Sequence, residues 1–292
     1  MTRRGWTLLL LLGLIWGMPY LFIRIAVATF EPTTLVLLRV VLAGVILIPV
    51  ALARRQLSAL RGRMGWVILF ALMEIGIAWV LINLGERELT SSLTALVIAT
   101  VPTIGAIAAR VAGVGDRLTG TRLVGLALGF VGVALLVGFD VASGSLFAIV
   151  CILIAAFCYA TAPLIVDRKL RDVPSLPVIA VSMAINALVF VVPGVIQWPS
   201  TDIPVSAWVS VVVLGLVCSA LAFIIFFRLI AEVGPARTTL ITYINPVVAV
   251  ILGIAVLGEP FTLGIAVGFP LIIIGSWLAS RRGPVFENEP HA

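Results

Sequence analysis

The chain has 292 residues, 62% of them hydrophobic and 11% charged, with a mean hydropathy of +1.26 and a formal net charge of +6. A soluble domain carries roughly 45–50% apolar and about 25% charged residues, so that class is excluded. Apolar stretches of about 20 residues recur from end to end, the length that crosses a bilayer, and they leave no room for a soluble catalytic domain.

Taken in chain order, the apolar runs between Gly, Pro and charged breaks predict ten spans: 5–27, 34–53, 65–84, 91–112, 120–139, 144–166, 175–197, 206–230, 236–257 and 262–280. The first holds Trp16, Pro19, Tyr20 and Arg24. It imitates a cleaved signal peptide down to Ala26-Val27-Ala28, but its apolar stretch is long and Arg24 precedes the supposed cut, so it is read as a retained helix. Span two carries Arg39, span three Glu74, Trp79 and Asn83, span four Pro102, and span six Tyr159 and Pro163. Asn186 lies in span seven, Ser219 in span eight, and Tyr243, Asn245 and Pro246 in span nine.

The +6 charge is a matter of topology rather than of nucleic-acid binding. Arg3, Arg4, Arg54, Arg55, Arg61, Arg63, Arg117, Arg122, Arg168, Lys169, Arg171, Arg237, Arg281 and Arg282 fall on the side of the N-terminus, whereas the opposite loops hold only Arg87, with Arg24 near the end of span one. Positive loops stay inside, so both termini are expected in the cytoplasm.

Rare residues exclude further chemistry. The single lysine, Lys169, is followed by Leu170, so there is no P-loop for a nucleotide. The single histidine, His291, stands next to the last residue, which removes His-based metal sites and His general-base catalysis. Cys151, Cys158 and Cys218 lie within apolar runs and read as buried packing residues. No cofactor or metal is expected.

An internal repeat runs through the chain. Shifted by 144 residues, Pro19 falls on Pro163, Arg24 on Arg168, Pro49 on Pro193 and Pro102 on Pro246. With one residue deleted, Thr119 meets Thr262, Gly125 meets Gly268 and Gly132 meets Gly275. The expected units are 1–140 and 144–281, followed by a cytoplasmic tail at 282–292. Each unit holds five spans, an odd number, so the second is expected upside-down relative to the first, with a substrate site between them at the midplane. Duplication kept only for packing is the alternative.

Polar groups in hydrocarbon carry a penalty, about 2.5–3.5 kcal/mol for a central charge on insertion scales. Counted from their shared end, Arg39 and Glu74 differ in depth by about 6 Å at 1.5 Å per residue. They are expected either to form a buried ion pair or to serve substrate, Arg39 a carboxylate and Glu74 a proton or an ammonium group. Asn186 and Ser219 are read as helix–helix hydrogen bonders or substrate contacts, Asn83 as a residue of the mouth, and Asn245 as a substrate contact or part of a hinge at Pro246. Trp16, Tyr20, Trp79, Tyr159 and Tyr243 avoid the interface belts and are expected to line a cavity for amphipathic, aromatic or cationic substrates, or to pack the core. Pro19, Pro102, Pro163 and Pro246 permit kinks that are static or act as gating hinges. Gly125-x-x-x-Gly129 and Gly264-x-x-x-Gly268 make flat faces for packing helices five and ten or for a dimer, and they do not fix an oligomeric state.

Leu14-Ile15-Trp16-Gly17, with Pro32 and Arg39, resembles the first two helices of EamA-like members of the drug/metabolite transporter superfamily. Tyr243-Ile244-Asn245-Pro246 through Gly258-Glu259, Gly268 and Gly275 is similar to that family's last helix pair, with a weaker first-half copy at Pro102, Asp116, Gly125 and Gly132. That copy has Asp116 where the second has Glu259. The resemblance implies a ten-helix inverted-repeat transporter that exports amino acids, related metabolites or cationic drugs, and within the family it is strongest to the YddG-type aromatic amino-acid exporters.

The expectation is therefore an all-helical polytopic carrier in a cell membrane, moving hydrophobic or aromatic amino acids outward by alternating access without ATP. A multidrug exporter of organic cations is the second reading, since Glu74 and the aromatic residues would serve it too. A membrane enzyme would need clustered His, Asp or Glu, and a channel would need a ring of charge or a filter loop; neither pattern is present in the sequence.

Overall fold

The computed structural model describes residues 1–111, 113, 120–140 and 146–280. Asp116, Thr119 and the tail 282–292 lie outside the described residues. Among those described there is no β-strand. Among the described residues, seven helices are long and apolar enough to cross a membrane: α1 (Arg3–Ala26), α2 (Pro32–Ala53), α3 (Met64–Gly85), α4 (Ser91–Val111), α6 (Leu146–Lys169), α7 (Ser175–Ile196) and α8 (Val205–Val233). Three further helices carry apolar stretches of shorter length, α5 (Gly120–Asp140), α9 (Ile241–Leu257) and α10 (Leu263–Ser280).

Local chemistry sets the helix ends. Thr2 and Thr90 take N-cap positions, their hydroxyls accepting from the amides of Gly5 (2.9 Å) and Leu93 (3.2 Å). Pro32 occupies the first turn of α2, where a missing N–H loses nothing. Gly258, at φ +67°, ends α9 in the left-handed conformation that favours glycine.

Helices α5 and α10 meet backbone to backbone. A Cβ on Gly125 would lie 2.7 Å from the Gly275 carbonyl oxygen, and one on Gly132 would lie 3.0 Å from that of Gly268. These helices therefore run antiparallel and tolerate no side chain at the crossing. Gly268 is the repeat counterpart of Gly125 and Gly275 that of Gly132, so each glycine meets the counterpart of the other, the contact rule of a two-fold axis. Helices α2 and α7 also pack antiparallel, with the Thr34 hydroxyl donating to the Gly194 carbonyl at 2.9 Å and Gly44 facing Met183.

Two helices change their winding mid-course. Residues Leu72–Ile77 of α3 and Val213–Leu221 of α8 form π-helix. At the 144-residue shift the first segment falls on 216–221, inside the second. Wide turns of this kind occur frequently at functional sites.

The four hinge candidates divide by repeat. α1 breaks at Met18, directly before Pro19, and α4 breaks after Ile98, with Pro102 in the first turn of its second piece. Pro163 and Pro246 sit inside unbroken helices. The same residue type at equivalent places therefore interrupts the chain only in the first half.

Candidate functional site

Arg39 projects from the first half of α2 and is 7% exposed. Its Nε donates to the Ser219 hydroxyl at 2.9 Å, and its guanidinium carbon lies 3.5 Å from the centroid of the Trp79 ring. The Ser219 hydroxyl in turn donates a hydrogen bond to the Leu214 carbonyl at 2.8 Å, within the π segment of α8. The guanidinium is thus held at one nitrogen and against one π-face, an arrangement that steadies a cation without neutralising it. Its two terminal nitrogens have no acceptor among the described residues.

The expected ion pair between Arg39 and Glu74 does not form. Among the described residues the ion pairs are Arg63–Asp172 (3.7 Å) and Arg87–Glu31 (2.8 Å). Equal depth does not fix azimuth, and Glu74 sits in the π segment of α3, where one extra residue per turn rotates the side chain away from an α-helical heading. The Glu74 carboxyl lies instead within electrostatic range of Cys158 and Tyr159 on α6, and its Oε2 is buried with no hydrogen-bond partner. Tyr159 is also within electrostatic range of Arg39 and close to Trp79.

Tyr20, buried in the second piece of α1, is within electrostatic range of Tyr159 and Arg39 and packs beside Ala95, Ala249 and Ile98. Trp16 goes elsewhere. It packs on Phe226 (5.0 Å between centroids) and edge-on to Phe223 (5.9 Å), in the cluster where α1 meets α8. Tyr243 is half-buried on α9.

Amide side chains pin helices together. Asn186 donates to the carbonyls of Ala71 and Ser182, both at 2.9 Å, bracing α3 where its π segment begins. Asn83 is buried and donates to the Pro32 carbonyl at 3.1 Å, tying α3 to the start of α2 rather than standing open at a mouth. With its nitrogen turned to donate, Asn245 reaches the carbonyls of Ile241 and Gly13 at 3.1 Å each, joining α9 to α1.

At the end of the bundle where α3 finishes, Glu259 accepts from the amides of Ser91 (2.7 Å) and Ser92 (3.0 Å) and from the Ser92 hydroxyl (2.5 Å). It therefore caps α4 from across the fold, an anion at a helix N-terminus. Glu86 was indistinguishable in sequence from the neighbouring Glu88, yet it is 0% exposed, with both carboxyl oxygens buried and unpartnered. Arg24 donates to the backbone carbonyl of Glu86, and a cavity of about 260 Å³ beside it is lined by Arg24, Val27, Ala28 and Arg87.

The chain matches the EamA-like transporter family twice, over residues 3–138 and 146–281. It is 28% identical over 290 residues to the "Uncharacterized inner membrane transporter YedA" of Escherichia coli (strain K12), covering 95% of this chain and 94% of that one. To the "Probable terminal-alkyne amino-acid exporter" of Streptantibioticus cattleyicolor it is 27% identical over 294 residues, covering 97% and 95%. A solved crystal structure aligns over 96% of this chain and 97% of its own, with a TM-score of 0.67 at 20% identity, a likeness of fold alone.

Proposed function

The chain belongs to the EamA-like transporter family and is a multi-pass protein of the cell membrane; on that premise we propose that it exports amino acids by alternating access, without ATP. In this reading the ten apolar helices all span, residues 1–140 and 144–281 are inverted five-helix repeats, and both termini with the tail 282–292 are cytoplasmic. The antiparallel glycine crossing of α5 and α10 supports the inversion. Breaks at Met18–Pro19 and before Pro102 supply hinges in the first repeat, and the π segments of α3 and α8 let those helices shift register.

One observation carries the substrate class. Arg39 is buried in α2, oriented by Ser219 and Trp79, and forms no ion pair among the described residues, although Glu86 lies within electrostatic range. Such a guanidinium offers two terminal nitrogens to a carboxylate, the bidentate match arginine makes best. Glu74, within electrostatic range of Tyr159, takes the substrate's ammonium group, and the rings of Trp79, Tyr159 and Tyr20 flank an apolar or aromatic side chain. Asn83, Asn186, Ser219 and Asn245 hold the helices that form this site. The relative named as an amino-acid exporter supports the same class.

Counterflow in proteoliposomes tests the reading. Labelled phenylalanine, tryptophan and other neutral amino acids should exchange without ATP, and Arg39→Lys should weaken them all. The unpartnered Glu74 oxygen favours a second reading, export of organic cations. Exchange of a dication alone, indifferent to the Arg39 change, would establish that reading instead.

A further inference from the structure

We propose that closing the outer end of the carrier is linked to the uptake of one external proton by Glu86, so that acid outside holds the exit shut. The inference rests on the orientation and alternating access of the preceding reading, in which the end of α3 faces outward. Glu86 has no exposed surface, and neither carboxyl oxygen meets a donor. The groups within electrostatic range of it are Tyr20 and Arg24 from α1, Arg39 from α2 and Glu259 beyond α9, and Arg87 follows it in the chain.

None of the charged groups donates to the Glu86 carboxyl. Arg24 donates to the backbone of Glu86 and not to its carboxyl, and Arg87 pairs with Glu31 at 2.8 Å. Arg39 is held by Ser219 and Trp79, and Glu259 accepts from Ser91 and Ser92. A sealed carboxylate without a partner is the less stable form, so the closed arrangement takes the neutral acid. Burial raises the protonation range of Glu86 well above that of an ordinary glutamate; Arg24 and Arg39 oppose that shift and Glu259 adds to it.

Opening this end lets water from the cavity at Arg24, Val27, Ala28 and Arg87 reach the carboxyl. Glu86 then ionises, and its proton leaves outward. Closing reverses the step, so the closed state binds one proton more than the open one and external pH shifts their ratio. The proton returns to the side it came from, which makes Glu86 a brake on the exit and not a drive for export.

Val27, 6% exposed on the cavity wall, supplies a substrate-independent probe. A Val27→Cys variant in right-side-out membrane vesicles is labelled with an impermeant maleimide at external pH 5 to 8, each rate normalised to that of the unfolded protein at the same pH. Labelling should rise up to about tenfold per pH unit across the Glu86 titration. With Glu86→Gln it should be slow and flat, because the amide mimics the neutral acid; Glu86→Asp, which still titrates, should restore the slope. Labelling that is flat in the Glu86 parent, or equally steep with Glu86→Gln, overturns the linkage. Efflux of labelled phenylalanine from the same vesicles separates the two readings. Efflux with flat labelling sinks the proton linkage alone, and Glu86-dependent labelling without efflux sinks the amino-acid substrate alone.

Discussion

Arg39 and Ser219 lie 180 positions apart in the chain and share a buried 2.9 Å hydrogen bond. The bond joins the two family repeats where their helices α2 and α8 meet, and it uses the hydroxyl that also closes the π turn onto Leu214. In the proposed function, stability and substrate binding are coupled at this one oxygen.

Ser219→Ala should lower stability by about 1.5–3 kcal/mol, the range for a hydrogen bond to a charged donor. Thermal unfolding in detergent reads the loss. Counterflow should show a higher KM for neutral amino acids, because the guanidinium loses its orientation. An unchanged melting temperature would mean that Arg39 finds another partner.

Glu74→Gln tests the absence of an Arg39 pair. Removing one member of a buried pair destabilises by about 3–5 kcal/mol. Here no such pair exists, so melting should stay level or rise as an unpartnered carboxyl becomes an amide. Exchange of a dication should be lost and exchange of neutral amino acids weakened; a large drop in melting temperature would contradict the geometry.

Glu259→Ala removes the cap that α9's end places on α4. The expected loss is about 1–2 kcal/mol of stability. Substrate preference, read from competition in counterflow, should stay the same, since Glu259 faces backbone amides and not the Arg39 site.

Gly275→Leu puts a side chain where a Cβ already falls 2.7 Å from the Gly125 carbonyl. Overpacking costs typically about 1–3 kcal/mol, and more where only backbone can yield. The yield of monodisperse protein should collapse, whereas the same change at Gly120, which has open space around it, should be tolerated.

Stability against pH follows from Glu86, whose folded-state pKa is raised by burial above the ordinary value of 4.5. The folded protein then binds more protons than the unfolded chain, so this contribution is fully present below pH 4.5 and is lost as pH rises through the folded value. Melting temperatures measured across that window should fall for the native chain and fall less for Glu86→Gln. Parallel curves would assign the slope to other groups.

The membrane class, the helical character and the family were legible along the chain because each is a one-dimensional property. Hydropathy measures transfer into lipid, and a duplicated gene leaves its prolines and glycines at a fixed shift. Position along a span can be counted from the sequence, and that count singles out Arg39, Glu74, Trp79, Tyr159 and Ser219 as candidates. Azimuth was not legible. The π segments at Leu72–Ile77 and Val213–Leu221 rotate the side chains beyond what an α-helical wheel describes, so Glu74 turned from Arg39 toward Tyr159 and Ser219 became the arginine's partner. Nor could composition separate Glu86 from Glu88, because burial is decided by which other helices close over a loop. A linear pattern records how much a segment dislikes water; only packing in three dimensions decides which neighbour each polar atom finds.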